Sequence, residues 1–350
     1  MSMLSQIINQ IRPLDTLSMQ QMTEKLDELV KPIGSLGRLE QLAIQLSGIS
    51  RRTDIAYPRK QIIVMAADHG VYAEGICQAP QAVSQIQMVN MVKGKAGVNV
   101  LAKQAGAEVL LVDCGIDSAP IEGVLNHKVA RGSGNIAKEA AMTRDQAVAL
   151  IERSAALAME QVNQGVDLLG VGELGMGNTT SAAAIVSVLC HADPDDAVGI
   201  GANLAPGRLQ HKIDVVRRAI EINQPDAKDG IDVLAKVGGF ELGGMAGVII
   251  GAAAAGVPVV LDGFLSYAAA LIAMQIAPTV HPYLIPSHCS AEKGAQLALN
   301  YLGVRPYLDM EMRLGEGSGG AMILPIIDSA CMITRQMGTL SECDITLSIG

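Results

Sequence analysis

The segment VDLLGVGELGMGNTTSAAAIVSVLC (166–190) passes from an apolar run through a Gly-rich turn into a stretch of small residues. Its first part shows no alternation of apolar and polar positions, which suits a strand buried on both faces. Three further runs share this texture and end in small or acidic residues: QIIVMAAD (61–68), AEVLLVD (107–113) and VPVVLD (257–262). Helical stretches lie between them, over 83–105, 143–163, 179–190, 209–221 and 240–255. Strand alternating with helix predicts an α/β fold, a parallel sheet flanked by helices and Rossmann-like in pattern. In such folds ligands bind beyond the carboxyl ends of the strands. Asp68, Asp113, Glu173 and Asp262 stand there.

Outside this core the chain reads as helical at both ends. Asp15 or Ser18 can cap a helix carrying Met19, Met22, Leu26 and Leu29, which Pro32 and Gly34 end. A second helix is expected in LGRLEQLAIQLSGIS (36–50), and another over 324–340. MAGVIIGAAAAGVPVVL (245–261) is the most hydrophobic segment, but it is short for a membrane span and contains Pro258. It reads as a buried helix, a turn at 256–258 and a buried strand. The N-terminal apolar stretch is too short and interrupted for a signal peptide, so a soluble cytoplasmic protein is expected.

Composition narrows the function. Of 350 residues only 2 are Phe and 6 Tyr, with no Trp, while Gly numbers 37. Few rings are available to stack on bases, and the net charge of −9 disfavours a phosphate backbone as partner. Six scattered Cys form no CxxC pair, so buried free thiols are expected rather than bridges. The six His show no HExxH or HxH spacing, and no metal site is expected.

Three segments carry candidate chemistry. In GVGELGMGNTTSAAAI (170–185), Gly170, Gly172 and Gly175 match G-x-G-x-x-G by letter, with Asp193 or Asp195 as the ribose acid of a dinucleotide site. Glu173 would repel pyrophosphate, so a single phosphate is the better reading, held by Gly175, Gly177, Asn178, Thr179 and Thr180 at a helix N-terminus. In RLGEGSGGA (313–321) one acid, Glu316, sits among four Gly. Poor solvation there raises a carboxylate's pKa and suits it to general base work. AADHGV (66–71) offers Asp68 and His69, neighbours that more often fix a loop by hydrogen bonds. Lys212, after the GIGAN turn (199–203), can reach a phosphate, and Gln87 at a helix start can meet a polar ligand edge.

Seven segments in this order resemble the nicotinate-nucleotide–dimethylbenzimidazole phosphoribosyltransferase family: KPIGSLGRLE (31–40), AADHGV (66–71), PQAVSQIQM (80–88), GELGMGNTTSAAA (172–184), GFELGGMAG (239–247), PVVLDGF (258–264) and RLGEGSGGA (313–321). The resemblance implies transfer of phosphoribose from nicotinate mononucleotide to 5,6-dimethylbenzimidazole, giving α-ribazole 5′-phosphate and nicotinate for the lower ligand of cobalamin. It implies no cofactor. It further implies a homodimer, with a main domain over 55–324 and a small helical subdomain from 1–54 plus 325–350. It places the catalytic carboxylate on Glu316 and a second acid, stabilising the ribosyl cation, on Glu173. Phosphate falls to Gly175, Gly177, Asn178, Thr179, Gly201 and Lys212, and Gln87 and Leu314 border the base. GIGAN stands where the family carries a GxGTG-type turn, so a phosphate hydroxyl is expected to be missing at Ala202 and Asn203. With so few rings, a base pocket of Leu, Met, Val and backbone is expected.

Overall fold

The computed structural model describes residues 2–202, 204–205 and 207–343. The four apolar runs are strands β1 (Lys60–Ala67), β2 (Ala107–Gly115), β4 (Leu168–Leu174) and β5 (Val259–Leu261). With β3 (Leu125–Asn126) and β6 (Leu284–Pro286) they form, among the described residues, a six-stranded sheet in the order β3-β2-β1-β4-β5-β6. Every neighbouring pair is parallel. The order reverses between β1 and β4, and a crevice opens there at the carboxyl ends.

Both faces of the sheet are buried, as unbroken apolar strands require. Ile62, Val64 and Ala66 of β1 enter one apolar layer, and Ile63, Met65 and Ala67 the other. The Ile63 layer takes in α1 (Met3–Ile8), α6 (Arg144–Asn163), α7 (Asn178–Leu189), α8 (Pro194–Ala197), α9 (Leu209–Asn223), α10 (Gly230–Val237), α11 (Phe240–Ala255), α12 (Phe264–Ile276) and α13 (Ala295–Leu302). The Ile62 layer holds α2 (Thr16–Asp27), α3 (Arg38–Ser50), α4 (Val83–Val92), α5 (Gly97–Gln104) and α14 (Ser318–Gln336).

Local chemistry explains the ends of these elements. Asp15 caps α2 by accepting the Ser18 N–H at 3.0 Å. Thr143 and Gln146 cap α6 reciprocally, at 3.2 and 2.9 Å. Much of the Gly content serves helix contact: a Cβ on Gly247 would lie 2.6 Å from the Ile151 carbonyl of α6. Small residues on α11 thus let two backbones approach where larger ones would hold them apart.

Two expected helices differ in extent. The stretch 83–105 is α4 and α5, divided where Gly94 takes φ +70° and the Lys95 N–H turns back to Asn90 O. The helix expected over 324–340 is α14, which starts at Ser318 directly after the Gly-rich loop and ends at Gln336. Position 325 is therefore inside one helix, at Pro325. Met22, Leu26, Leu42 and Leu46 share a core with Leu324 and Ile327. Leu4 and Ile7 of α1 lie in the opposite layer.

Among the described residues no helix is long and apolar enough to cross a membrane. The six Cys are free, with Cys114 and Cys331 buried and Cys343 exposed.

Candidate active site

The loops after β4, β5 and β6, with α9 and the approach to α14, enclose a cavity of about 450 Å³. Its lining includes Glu173, Gly175, Gly177, Asn178, Thr179, Gly201, Lys212, Leu314 and Glu316. Gln87 reaches the same place from α4, its Nε2 donating to Glu316 Oε1 at 2.8 Å. Of the ten residues to which the resemblance gives roles, nine therefore line one cavity and the tenth, Gln87, touches Glu316 there, whereas Asp68, His69 and Thr180 are outside its lining. Asn203 lies outside the described residues, and Ala202 lines the cavity.

The β4 end explains the Gly spacing. Gly170 and Gly172 lie within the strand and not in a phosphate loop. A Cβ on Gly172 would sit 2.7 Å from the Glu316 carbonyl oxygen, so this Gly admits the second loop onto the strand. Asp193 and Asp195, at the start of α8, pair with Arg217 at 2.9 and 2.6 Å and lie outside the cavity. The G-x-G-x-x-G letters thus lack both the loop and the ribose acid of a dinucleotide site.

A cationic corner forms at the start of α7. The Lys212 ammonium is buried and donates to Thr179 Oγ1 at 2.8 Å and to Gly199 O at 3.1 Å. Burial pushes its pKa down to about 8, against the opposing charge of Glu292. The backbone of Gly201, at φ +53°, passes beside Lys212 and Thr179.

Across the cavity, Glu316 is buried in the left-handed backbone region at φ +63°, between Gly315 and Gly317 at +83° and +88°. Gln87 holds Oε1, while Oε2 is buried with no hydrogen-bond partner among the described residues. Burial raises the pKa of Glu316, the Gln87 bond opposes this, and the charge of Asp262 adds to it. The loop is pinned from below: Glu173 Oε1 accepts the Glu316 N–H at 3.3 Å, and Asn178 Nδ2 donates to Glu173 Oε2. Burial, then the nearby charges of Glu241 and Asp262, push Glu173 up to about 8.

The remaining strand-end acids hold structure. Asp68 accepts from Ser84 Oγ at 2.6 Å and from the Asp117 N–H at 2.8 Å. Ser84 Oγ in turn accepts the Met176 N–H at 3.2 Å, tying α4 to the loop before α7. His69 bridges Ser181 at 3.1 Å and Glu241 at 2.7 Å. Asp113 accepts the N–H groups of Gly115 and Ile116 and pairs with Lys128. Among the described residues no group of three or more His, Cys, Asp or Glu is arranged to hold a metal ion.

A phosphoribosyltransferase family model matches residues 11–345. The chain belongs to this phosphoribosyltransferase family. It is 61% identical over 347 residues to the nicotinate-nucleotide–dimethylbenzimidazole phosphoribosyltransferase of Yersinia enterocolitica, covering 99% of each chain. It is 56% identical over 349 residues to the same-named protein of Escherichia coli K12, covering 99% of this chain and 97% of the relative. Among solved structures, CobT from Thermus thermophilus superposes with a TM-score of 0.91 at 35% identity, over 95% of this chain and all of that one.

The enzyme is thus a phosphoribosyltransferase, and several of its cavity residues were not foreseen. His288, Ser290 and Glu292 follow β6, whose apolar pair Leu284 and Ile285 lies between Pro282 and Pro286 and makes no run that reads as a strand. Arg313, one position before Leu314, also lines the cavity and donates to Gly201 O at 3.1 Å. The apolar lining is Leu, Ile and Met with Cys77, Ala202 and Phe264, and it contains no Val. Phe240 is instead buried in the core, against Gly115. An acid within the apolar segment GFELGG was the available signal for Glu241.

Proposed function

We propose that this phosphoribosyltransferase moves phosphoribose from nicotinate mononucleotide to a benzimidazole-type base, 5,6-dimethylbenzimidazole, giving α-ribazole 5′-phosphate and nicotinate for the cobalamin lower ligand. The observation that carries the reading is the unpartnered, buried Oε2 of Glu316. A buried carboxylate oxygen without a partner is costly unless a substrate group fills the place. Nicotinate in the nucleotide is a pyridinium and departs without a proton. The base must lose its N–H as its other nitrogen attacks C1′, and Glu316 Oε2 takes that proton. Attack opposite the leaving group inverts C1′ from β to α.

The other residues take roles in this proposal. Lys212, the Thr179 hydroxyl, Gly175, Gly177, Gly201 and the start of α7 receive the phosphate, where ammonium and helix dipole act together. The Asn178 side chain is engaged by Glu173, so its part is to orient that acid. Glu173, whose pKa burial raises in the empty site, is favoured in its ionised form by a pyridinium or ribosyl cation beside it. It then stabilises the transition state electrostatically. Gln87 and Leu314 border the base. A homodimer, a cytoplasmic setting and a helical subdomain of 1–54 with 325–350, of which residues 1 and 344–350 lie outside the described ones, belong to the same proposal.

Glu316→Gln tests the assignment. General base catalysis contributes typically about 10²–10⁴-fold, so kcat should fall by that order while mononucleotide binding, followed by calorimetry, survives. A near-normal rate would remove Glu316 from the role.

A further inference from the structure

We propose that Asp262 is a positioning residue for Glu316: from the end of β5 its carboxylate holds the loop that keeps Glu316 turned into the cavity. Asp262 is buried, with 1% of its surface exposed. Its Oδ1 accepts the N–H groups of Gly319 at 2.7 Å and Gly320 at 3.2 Å, and its Oδ2 accepts that of Gly317 at 2.9 Å. These N–H groups belong to the start of α14, where a helix cannot satisfy its own donors and where a negative charge complements the dipole.

Three residues in succession, 315 to 317, have positive φ. Two are Gly, which adopt it freely, but Glu316 is not. A left-handed Glu persists only where its surroundings over-determine it. Asp262 supplies that constraint on the carboxyl side, and the bond from Glu173 to the Glu316 N–H supplies it below. Gly319 shows how closely the parts are fitted: a Cβ there would collide with His288 Nδ1 and lie 2.8 Å from Asp262 Oδ1.

The same bonds give the donor substrate a direction. Two Gly-rich helix starts face the cavity, those of α7 and α14. The α14 start is already occupied by the Asp262 carboxylate, so an incoming phosphate is left the α7 start beside Lys212. C1′ is then directed toward Glu316.

The inference rests on Glu316 acting as the base, and its test separates the two. Besides Glu316, the charged and titratable groups around the cavity are Glu173, Asp262, His288, Glu292, Lys212, Arg313 and the thiol of Cys77. Asp262→Asn keeps the shape of the side chain but removes its charge and turns one acceptor into a donor facing N–H groups. The expected loss in kcat is on the order of 10²-fold, as for a misplaced catalytic group. KM for nicotinate mononucleotide should stay within about threefold. The acid limb of the kcat profile should also move to lower pH, because a negative charge that opposes ionisation of Glu316 is gone. A merely structural role would lower kcat and nucleotide affinity together, and this result would overturn the proposal, as would an unchanged kcat. Asp262→Ser, smaller and still an acceptor, repeats the measurement if the Asn variant does not fold. Glu316→Gln is measured alongside: a retained rate there defeats the base assignment itself, whereas a lost rate there with a normal rate in Asp262→Asn defeats only the role of Asp262.

Discussion

Glu316 gives one oxygen to Gln87 and keeps the other, and this asymmetry suits it to remove a proton. The Gln87 bond favours the ionised carboxylate, against burial, which disfavours it. Replacing Gln87 by Leu should therefore raise the pKa of Glu316 further. The base form is then lost at a higher pH, and the acid limb of kcat should shift upward, opposite to the shift expected for Asp262→Asn. Steady-state rates across pH check this, and a downward shift would contradict it. At this scale the sequence was legible wherever an acid stood among Gly, as at Glu316 and Glu173. It was silent on which acids face a ligand. Asp68 and Asp113 end strands as Glu173 and Asp262 do, and loop N–H groups or side chains engage all four, but only Glu173 and Asp262 line the cavity. That placement exists only in three dimensions.

At the scale of elements, two strand-to-helix loops make the site, one after β4 and one before α14. They meet because Gly172 leaves β4 without a side chain where the second loop crosses it. Gly172→Ala should force that loop to shift, with an overpacking cost of about 1–3 kcal/mol. Its kcat should fall on the order of 10²-fold. Gly170→Ala is the control on the same strand. Its Cβ would meet Ile62 Cγ1 at 3.3 Å, a side-chain contact that has to give by only a few tenths of an ångström where Gly172 would meet backbone, and activity should be kept. Denaturant unfolding and steady-state kinetics on both variants check the contrast; equal effects would contradict it. β1, β2, β4 and the three-residue β5 could be read because burial on both faces leaves unbroken apolar runs. β6, equally short, could not, since Leu284 and Ile285 stand between Pro282 and Pro286 without such a run, and the start of α14 was hidden because its first turn is Gly-rich and resembles a loop.

Across the whole molecule, scarce aromatic residues and abundant Gly describe one design. A core of Ala, Val, Ile, Leu and Met packs through close helix contacts such as that of α11 on α6, while Phe264 is the one Phe on the cavity wall among the described residues. In the proposed function a flat base would be gripped by aliphatic side chains and backbone, with specificity left to Gln87 and Glu316. The central claim is that this cavity joins a nicotinate nucleotide to a benzimidazole. It is tested most directly by incubating the purified protein with nicotinate mononucleotide, with and without 5,6-dimethylbenzimidazole, and identifying the products. The account predicts nicotinate release only when the base is present, with α-ribazole 5′-phosphate formed in equal amount. Release without the base, or none across a panel of benzimidazoles, would contradict it.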